Sequence, residues 1–301
     1  MSKKIIAVFL CAVLVLSFAA CAKKGSTDTQ TDALKYNTFD GAYASYDASV
    51  VSAYEDMCRA VYRADGEVRF NTGMLNDVLQ LFYTSFPLQI FVKDIERKDD
   101  ASGITVTYTK SADEVRAEAK AFSDKIAAIL DECKAGKTNR RAFIINAYHY
   151  TVTHVKESKK GGATIYSAVM NGEGDSFTAS GMFEYLLRQG GVNASHILAQ
   201  DAAGVSWGVS MAEIDGENFL FDPMTEIIAN GGAQLCYFGM TTEDANAEGL
   251  KKFYYTNRAE APACDNPYFD ICRQCTAWEI SENDTDLLVT QNNGEVVQVA
   301  L

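Results

Sequence analysis

Three sets of side chains in this 301-residue chain have types and spacings that could do chemistry. The first centres on Ser176, which follows the turn Gly172-Glu173-Gly174 and opens the run Phe177 to Leu187. A hydroxyl at a helix start is a nucleophile only when a positioned base takes its proton. Otherwise it caps the helix by accepting a first-turn N–H, and that is the simpler expectation here. Asp222, in Phe221-Asp222-Pro223-Met224-Thr225, is a carboxylate of the kind that orients such a base. His196 is the imidazole nearest this stretch, and its use as the base for Ser176 would be a new arrangement. The second set is Cys272-Arg273-Gln274-Cys275, which has redox or metal spacing. No βαβ pattern surrounds it, so structural disulfides or buried thiols are expected instead. The third is His149 and His154, five residues apart on a predicted helix. Ligation from one helix face wants a spacing of three or four, so neither a metal nor a cofactor is expected.

Around Ser176 the stretch from Thr164 to Glu226 resembles the catalytic half of a transglutaminase-like domain, the papain-related fold with a Cys–His–Asp triad. Phe183, Tyr185, Leu186 and Leu187 stand where that family carries an F-x-x-L-L run. Val205-Ser206-Trp207-Gly208 stands where it reads H-x-W-N, and Phe219 with Asp222-Pro223 matches its Y-x-x-D-P-T segment. Tyr237-Phe238-Gly239-Met240 resembles a segment that follows the triad region in bacterial lipoproteins of the family. The likeness is good over roughly residues 140–240, looser before, and slight over 241–301. It implies that Ser176 occupies the Cys position, Val205 the His position, and Asp222 its own.

A Cys at a helix N-terminus yields thiolate through the helix dipole and a neighbouring imidazole. Ser has no such reservoir of anion, and Val205 cannot accept a proton. The resemblance therefore implies an inactive member of the family, a pseudoenzyme. Its cleft, with Gly174, Trp207 and His196, would bind peptide or glycan, or the domain would act as a scaffold. Two other readings stand beside it. One is a hydrolase or acyltransferase using Ser176, Asp222 and an unforeseen base. The other is a redox or metal module at Cys272 and Cys275.

For the elements that must position these residues, the resemblance implies an α+β fold, a papain/transglutaminase-like core with a helix packed on an antiparallel sheet. Asp215-Gly216 is a strong two-residue hairpin signal. It sets Asp222 opposite Val209, on the sheet face of Val205 and Trp207 and offset from Val205 by four residues, roughly 13 Å. Direct contact would need a bulge or a longer turn. Residues 34–110 read as an N-terminal α+β region. Helical spacing links Val50, Tyr54, Met57 and Val61, and again Leu75, Val78, Leu79 and Phe82. Strands are expected at Leu88 to Ile95 and Ile104 to Tyr108. The resemblance makes residues 111–245 the transglutaminase-like domain. It opens on a capping box at Ser111 and Glu114, and a second helix starts near Thr138. Residues 246–301 form a C-terminal extension ending in a hairpin about Asn293-Gly294.

Composition bounds partners and compartment. With 40 acidic against 27 basic side chains there is no basic stripe, which argues against nucleic acid as a partner. Residues 1–20 read as an export signal, with Lys3 and Lys4 before an apolar run too short to span a membrane. The run ends Ser17-Phe18-Ala19-Ala20-Cys21, which resembles a bacterial lipobox and marks Cys21 for lipidation. Residues 21–33 would then be a disordered tether, and the protein would be exported and lipid-anchored on the extracytoplasmic face of the cell membrane. Loss of Lys3 and Lys4 takes the net charge from −13 to −15. Cys58, Cys133, Cys236, Cys264, Cys272 and Cys275 remain after Cys11 and Cys21, and sequence alone cannot choose among their pairings.

Overall fold

A computed structural model describes residues 38, 40–158 and 162–301. The signal, Cys21 and the tether lie outside them. The described residues gather into one compact unit, an α+β fold whose three larger sheets are antiparallel.

After a 3-10 turn at Gly41–Tyr43, the described residues form α1 (Ala48–Arg63), the short β1 (Glu67–Arg69) and α2 (Leu75–Ser85). β2 (Val92–Arg97) and β3 (Gly103–Tyr108) join β1 in a three-stranded antiparallel sheet of order β1-β3-β2. The strand expected from Leu88 begins only at Val92. Pro87 takes the first position of a 3-10 turn over Pro87–Phe91, where its missing N–H costs nothing. α3 (Ala112–Glu132) starts on the capping box of Ser111 with Glu114. α4 (Arg140–His154) follows, capped by Asn139, whose side chain accepts from the Ala142 N–H. Then come β4 (Lys156–Glu157), α5 (Ile165–Asn171), β5 (Glu173–Gly174) and α6 (Ser176–Gln189). β4 and β5 form a two-residue parallel pair.

β6 (Ala194–Asp201), β7 (Ser206–Ile214), β8 (Glu217–Phe221) and β9 (Leu250–Tyr255) make the largest sheet, antiparallel, in the order β8-β7-β6-β9. α7 (Pro223–Asn230) and α8 (Thr242–Ala247) lie between β8 and β9 in the chain. A last antiparallel sheet, β10 (Cys275–Ile280), β11 (Asp286–Gln291) and β12 (Val296–Ala300), contains the expected hairpin about Asn293-Gly294.

α6 is the axis of the molecule, because all but one of its residues are buried. An ordinary surface helix keeps one polar face. This one is walled by α4, α5 and α7 and lies on β7. Strand alternation divides the large sheet. Ala212, Ile214, Phe219 and Phe221 join the main core, which runs from Tyr43 to Val289. Val209, Met211 and Leu220 join a smaller core with Ile197, Ala199 and Phe253. The Asp215-Gly216 turn sets the register as read from sequence, with Ile214 opposite Glu217 and Ser210 opposite Phe221. Both turn residues have positive φ, 55° and 87°, the requirement of the primed hairpin turns.

Candidate functional site

The loop that delivers Ser176 is pinned at both ends. Gly172 closes α5 in the left-handed region at φ 67°, which glycine adopts without a Cβ penalty. The Lys156 N–H donates to the Gly172 carbonyl at 2.8 Å, and the Ser158 N–H to the Gly174 carbonyl at 2.7 Å. Gly174 itself is buried, and a Cβ there would meet the Thr178 Oγ1 at 2.5 Å. The helix cap falls one residue earlier than expected. Asp175 is the N-cap, accepting from the Thr178 N–H, and Thr178 closes a reciprocal capping box. Asp175 carries a carboxylate at the helix N-terminus, where the dipole favours it.

Ser176 is thereby freed from capping and does something else. It is 5 % exposed, and its Oγ accepts from the Gly208 N–H of β7 at 3.1 Å. Strand and helix touch here through their backbones. A Cβ on Gly208 would stand 2.5 Å from the Phe177 Cα and 2.7 Å from the Ser176 carbonyl oxygen. One turn along, the Ser180 hydroxyl donates to the Ser176 carbonyl at 2.6 Å, and the Ser210 hydroxyl donates to the Ser180 carbonyl at 2.8 Å. The Ser180–Ser176 bond lies within α6, and the bonds from Gly208 and Ser210 lace α6 to β7. Among the described residues no imidazole, carboxylate or amine is hydrogen-bonded to the Ser176 hydroxyl.

Asp222 is fully engaged as well. It is the N-cap of α7, with Pro223 at the first helical position. Its carboxylate accepts from the Thr225 N–H at 2.9 Å, the Thr225 hydroxyl at 2.6 Å and the Trp207 indole N–H at 2.9 Å. Burial pushes the Asp222 carboxyl above the usual carboxylate range, and the Thr225 and Trp207 bonds pull it back. The indole thus fills the place beside Asp222 where an orienting carboxylate would hold an imidazole. Val205 is not there. It lies in the turn before β7, 63 % exposed, with its N–H donating to the Asp201 side chain at 2.8 Å. The structure joins Trp207 to Asp222 and Ser176 to Gly208, and brings Val205 to neither.

His196 on β6 reaches one turn beyond Ser176. Its Nδ1 lies 3.4 Å from the Ser180 Oγ, and its backbone N–H donates to the Asp40 carboxylate at 3.1 Å. Burial, reinforced by Arg188, lowers its pKa to about 4, so the ring is neutral at pH 7. Beside it lies a buried charged group that sequence reading passed over. Glu184 and Arg188, one turn apart on α6, pair at 2.7 Å with side-chain exposures of 2 % and 3 %. Arg188 also donates to the carbonyls of Thr38 and Ser85 at 2.9 and 3.2 Å. The signal was present: Glu184 inside the apolar run Phe183 to Leu187 and Arg188 directly after it, at i, i+4, are out of place on any core helix unless paired.

The tail cysteines meet Cys236. Its Sγ lies 3.4 Å from the Cys275 carbonyl, and all six cysteines among the described residues are free. Burial pushes the Cys272 thiol up to about 12 and the Cys275 thiol to about 11. Thiols so held are poor nucleophiles and poor ligands. Among the described residues no group of three or more His, Cys, Asp or Glu is placed to hold a metal. His149 stands edge-on to Trp278 at 5.0 Å, and His154 stacks on Tyr150 at 5.2 Å. Nor is any described helix long and apolar enough to cross a membrane.

No protein-family model matches the chain, and no curated protein does. Among solved structures it is similar to a proposed cysteine protease from Cytophaga hutchinsonii, with 13 % identity and a TM-score of 0.30. The match covers 34 % of this chain and 37 % of that one. A likeness at that level carries no argument about activity.

Proposed function

We propose that this protein is a membrane-anchored, extracytoplasmic lipoprotein whose transglutaminase-like domain performs no acyl transfer and serves as a binding module. The observation that carries the reading is the Ser176 hydroxyl. It is buried, accepts the Gly208 N–H at 3.1 Å, and has no base hydrogen-bonded to it among the described residues. Acyl transfer needs a nucleophile deprotonated at the moment of attack and an acid for the leaving group. Asp222 is spent on capping α7 and on the Trp207 indole. Ser176 and Asp222 therefore each have a structural task that supports a non-catalytic role, and Val205 stands exposed in a turn away from both. The buried tail thiols count against a redox module in the same way.

The chemistry is tested by incubating the protein with peptide amides and amine acceptors. Neither hydrolysis nor cross-linking above background is expected. Turnover that disappears in Ser176→Ala would overturn the reading. The anchor is tested separately with Cys21→Ala, which should leave the signal uncleaved or release the protein from membranes. Correctly processed variant protein that stays on membranes would count against lipidation.

A further inference from the structure

The face of α6 that carries Phe177, Thr178, Gly181 and Glu184 borders a cavity of about 270 Å³. Its walls include Tyr83 and Phe86 around the end of α2, Ile165 of α5, and His196 of β6. None of Ser176, Asp222, Trp207 and Gly174 lines it, and it adjoins Ser176 only through Phe177 and Thr178. Tyr83 is 51 % exposed, one of the few large apolar side chains so placed, and it stands at the solvent edge of the cavity. Sites for whole small molecules run from roughly 300 to 1,000 Å³. This one suits a single ring-sized group between aromatic walls.

The polar chemistry of the cavity is one-sided. The Ser180 hydroxyl has one proton, and it goes to the Ser176 carbonyl at 2.6 Å. The contact of 3.4 Å between Ser180 and His196 therefore has Nδ1–H as donor. In that tautomer Nε2 is an acceptor with no protein hydrogen bond among the described residues, and His196 forms part of the cavity wall. Glu184 is held by Arg188 at 2.7 Å. Arg188 disfavours a cation beside His196, and burial, which holds the neighbouring Glu184 and Asp40 carboxyls above the usual carboxylate range, disfavours an anion. A neutral ring with one hydrogen-bond donor meets all these conditions.

We propose that this cavity binds a phenol, with the ring against Tyr83, Phe86 and Phe177 and the hydroxyl donating to His196 Nε2. The proposal rests on the binding half of the function above, and it names the group bound. The phenol could be free or the side chain of a peptide tyrosine.

The test is ligand-observed NMR on the purified full chain with p-cresol, toluene and N-acetyltyrosinamide. Toluene matches p-cresol except for the hydroxyl. One net hydrogen bond predicts p-cresol binding about two- to tenfold tighter. His196→Phe should abolish that preference while toluene still binds. Tyr83→Ala, at an exposed position, should weaken both probes. N-acetyltyrosinamide binding like p-cresol assigns a peptide source, and its exclusion assigns a free phenol. Equal affinity for p-cresol and toluene overturns the proposal. So does no binding of either at millimolar concentration, a preference that survives His196→Phe, or unchanged binding in Tyr83→Ala. None of these results bears on acyl transfer, which the turnover assay decides by itself.

Discussion

Replacing Ser176 by Ala separates a structural hydroxyl from a catalytic one. In the folded protein the Ser176 Oγ accepts one bond, from the Gly208 N–H at 3.1 Å, and both residues are buried. Alanine removes the acceptor and leaves the donor in place. The gap is the size of one oxygen, and the α6 backbone closes it on one side, 2.5 Å from where a Gly208 Cβ would stand. A replacement water needs more room and two to four partners. The Gly208 N–H is then stranded, and a buried unsatisfied donor costs about 1–3 kcal/mol. Urea denaturation should therefore show Ser176→Ala less stable by about 1–3 kcal/mol with an unchanged m-value. Ser176→Cys, whose sulfur is a weak acceptor, should fall between the two. A serine poised for catalysis behaves oppositely, since active-site groups are commonly held at a cost to stability and their removal is neutral or stabilising. If Ser176→Ala is as stable as the parent, or more stable, the structural role assigned to this hydroxyl is refuted.

Gly208→Ala should cost about 1–3 kcal/mol or more through overpacking, because its Cβ would meet backbone at 2.5–2.7 Å and not a movable side chain; thermal unfolding reads this, and a neutral outcome would mean that α6 can slide on β7. Arg188→Met strands Glu184 in the core and takes one donor each from the Thr38 and Ser85 carbonyls, so a loss of about 3–5 kcal/mol is expected in denaturation, with partial recovery in Arg188→Met with Glu184→Leu. No recovery would mean that the carbonyls, and not the bare carboxylate, dominate. His196 titrates near 4 when folded against about 6.5 when unfolded, so the unfolded chain takes the proton first. Stability should fall as pH drops from about 6.5 toward 4, by at most about 1.4 kcal/mol per pH unit from this group. The raised carboxyls of Asp40, Glu184, Asp222 and Glu226 act in the opposite sense, so the parent is compared with His196→Phe; identical pH profiles would show that His196 is not held neutral by the fold.

Local signals carried most of the secondary structure. The Ser111–Glu114 capping box, the Asp215-Gly216 register and the Asn293-Gly294 hairpin each depend on a few adjacent residues, and each is where the sequence puts it. The strand expected from Leu88 starts at Val92 because Pro87 favours a tight turn first. Asp175 takes the cap expected of Ser176 because a carboxylate competes at least as well for it. The positions of Ser176 and Asp222 were legible, but their partners were not. The Trp207 indole reaches Asp222 across two strands, and the Gly208 N–H turns to Ser176 only because the missing Cβ lets a strand press on a helix. The cavity was illegible for the same reason, since its walls come from residues near 85, 165, 180, 196 and 256. No local pattern predicts such a meeting.

Labelling of Ser176 by a fluorophosphonate tests the central claim most directly, because the reagent reports an activated serine whatever the natural substrate. The bonding of Ser176 predicts no adduct on its peptide beyond the level seen with heat-denatured protein. A stoichiometric adduct at Ser176 in the folded protein, lost on unfolding and absent from Ser176→Ala, would show that a base does reach this hydroxyl and would contradict the account.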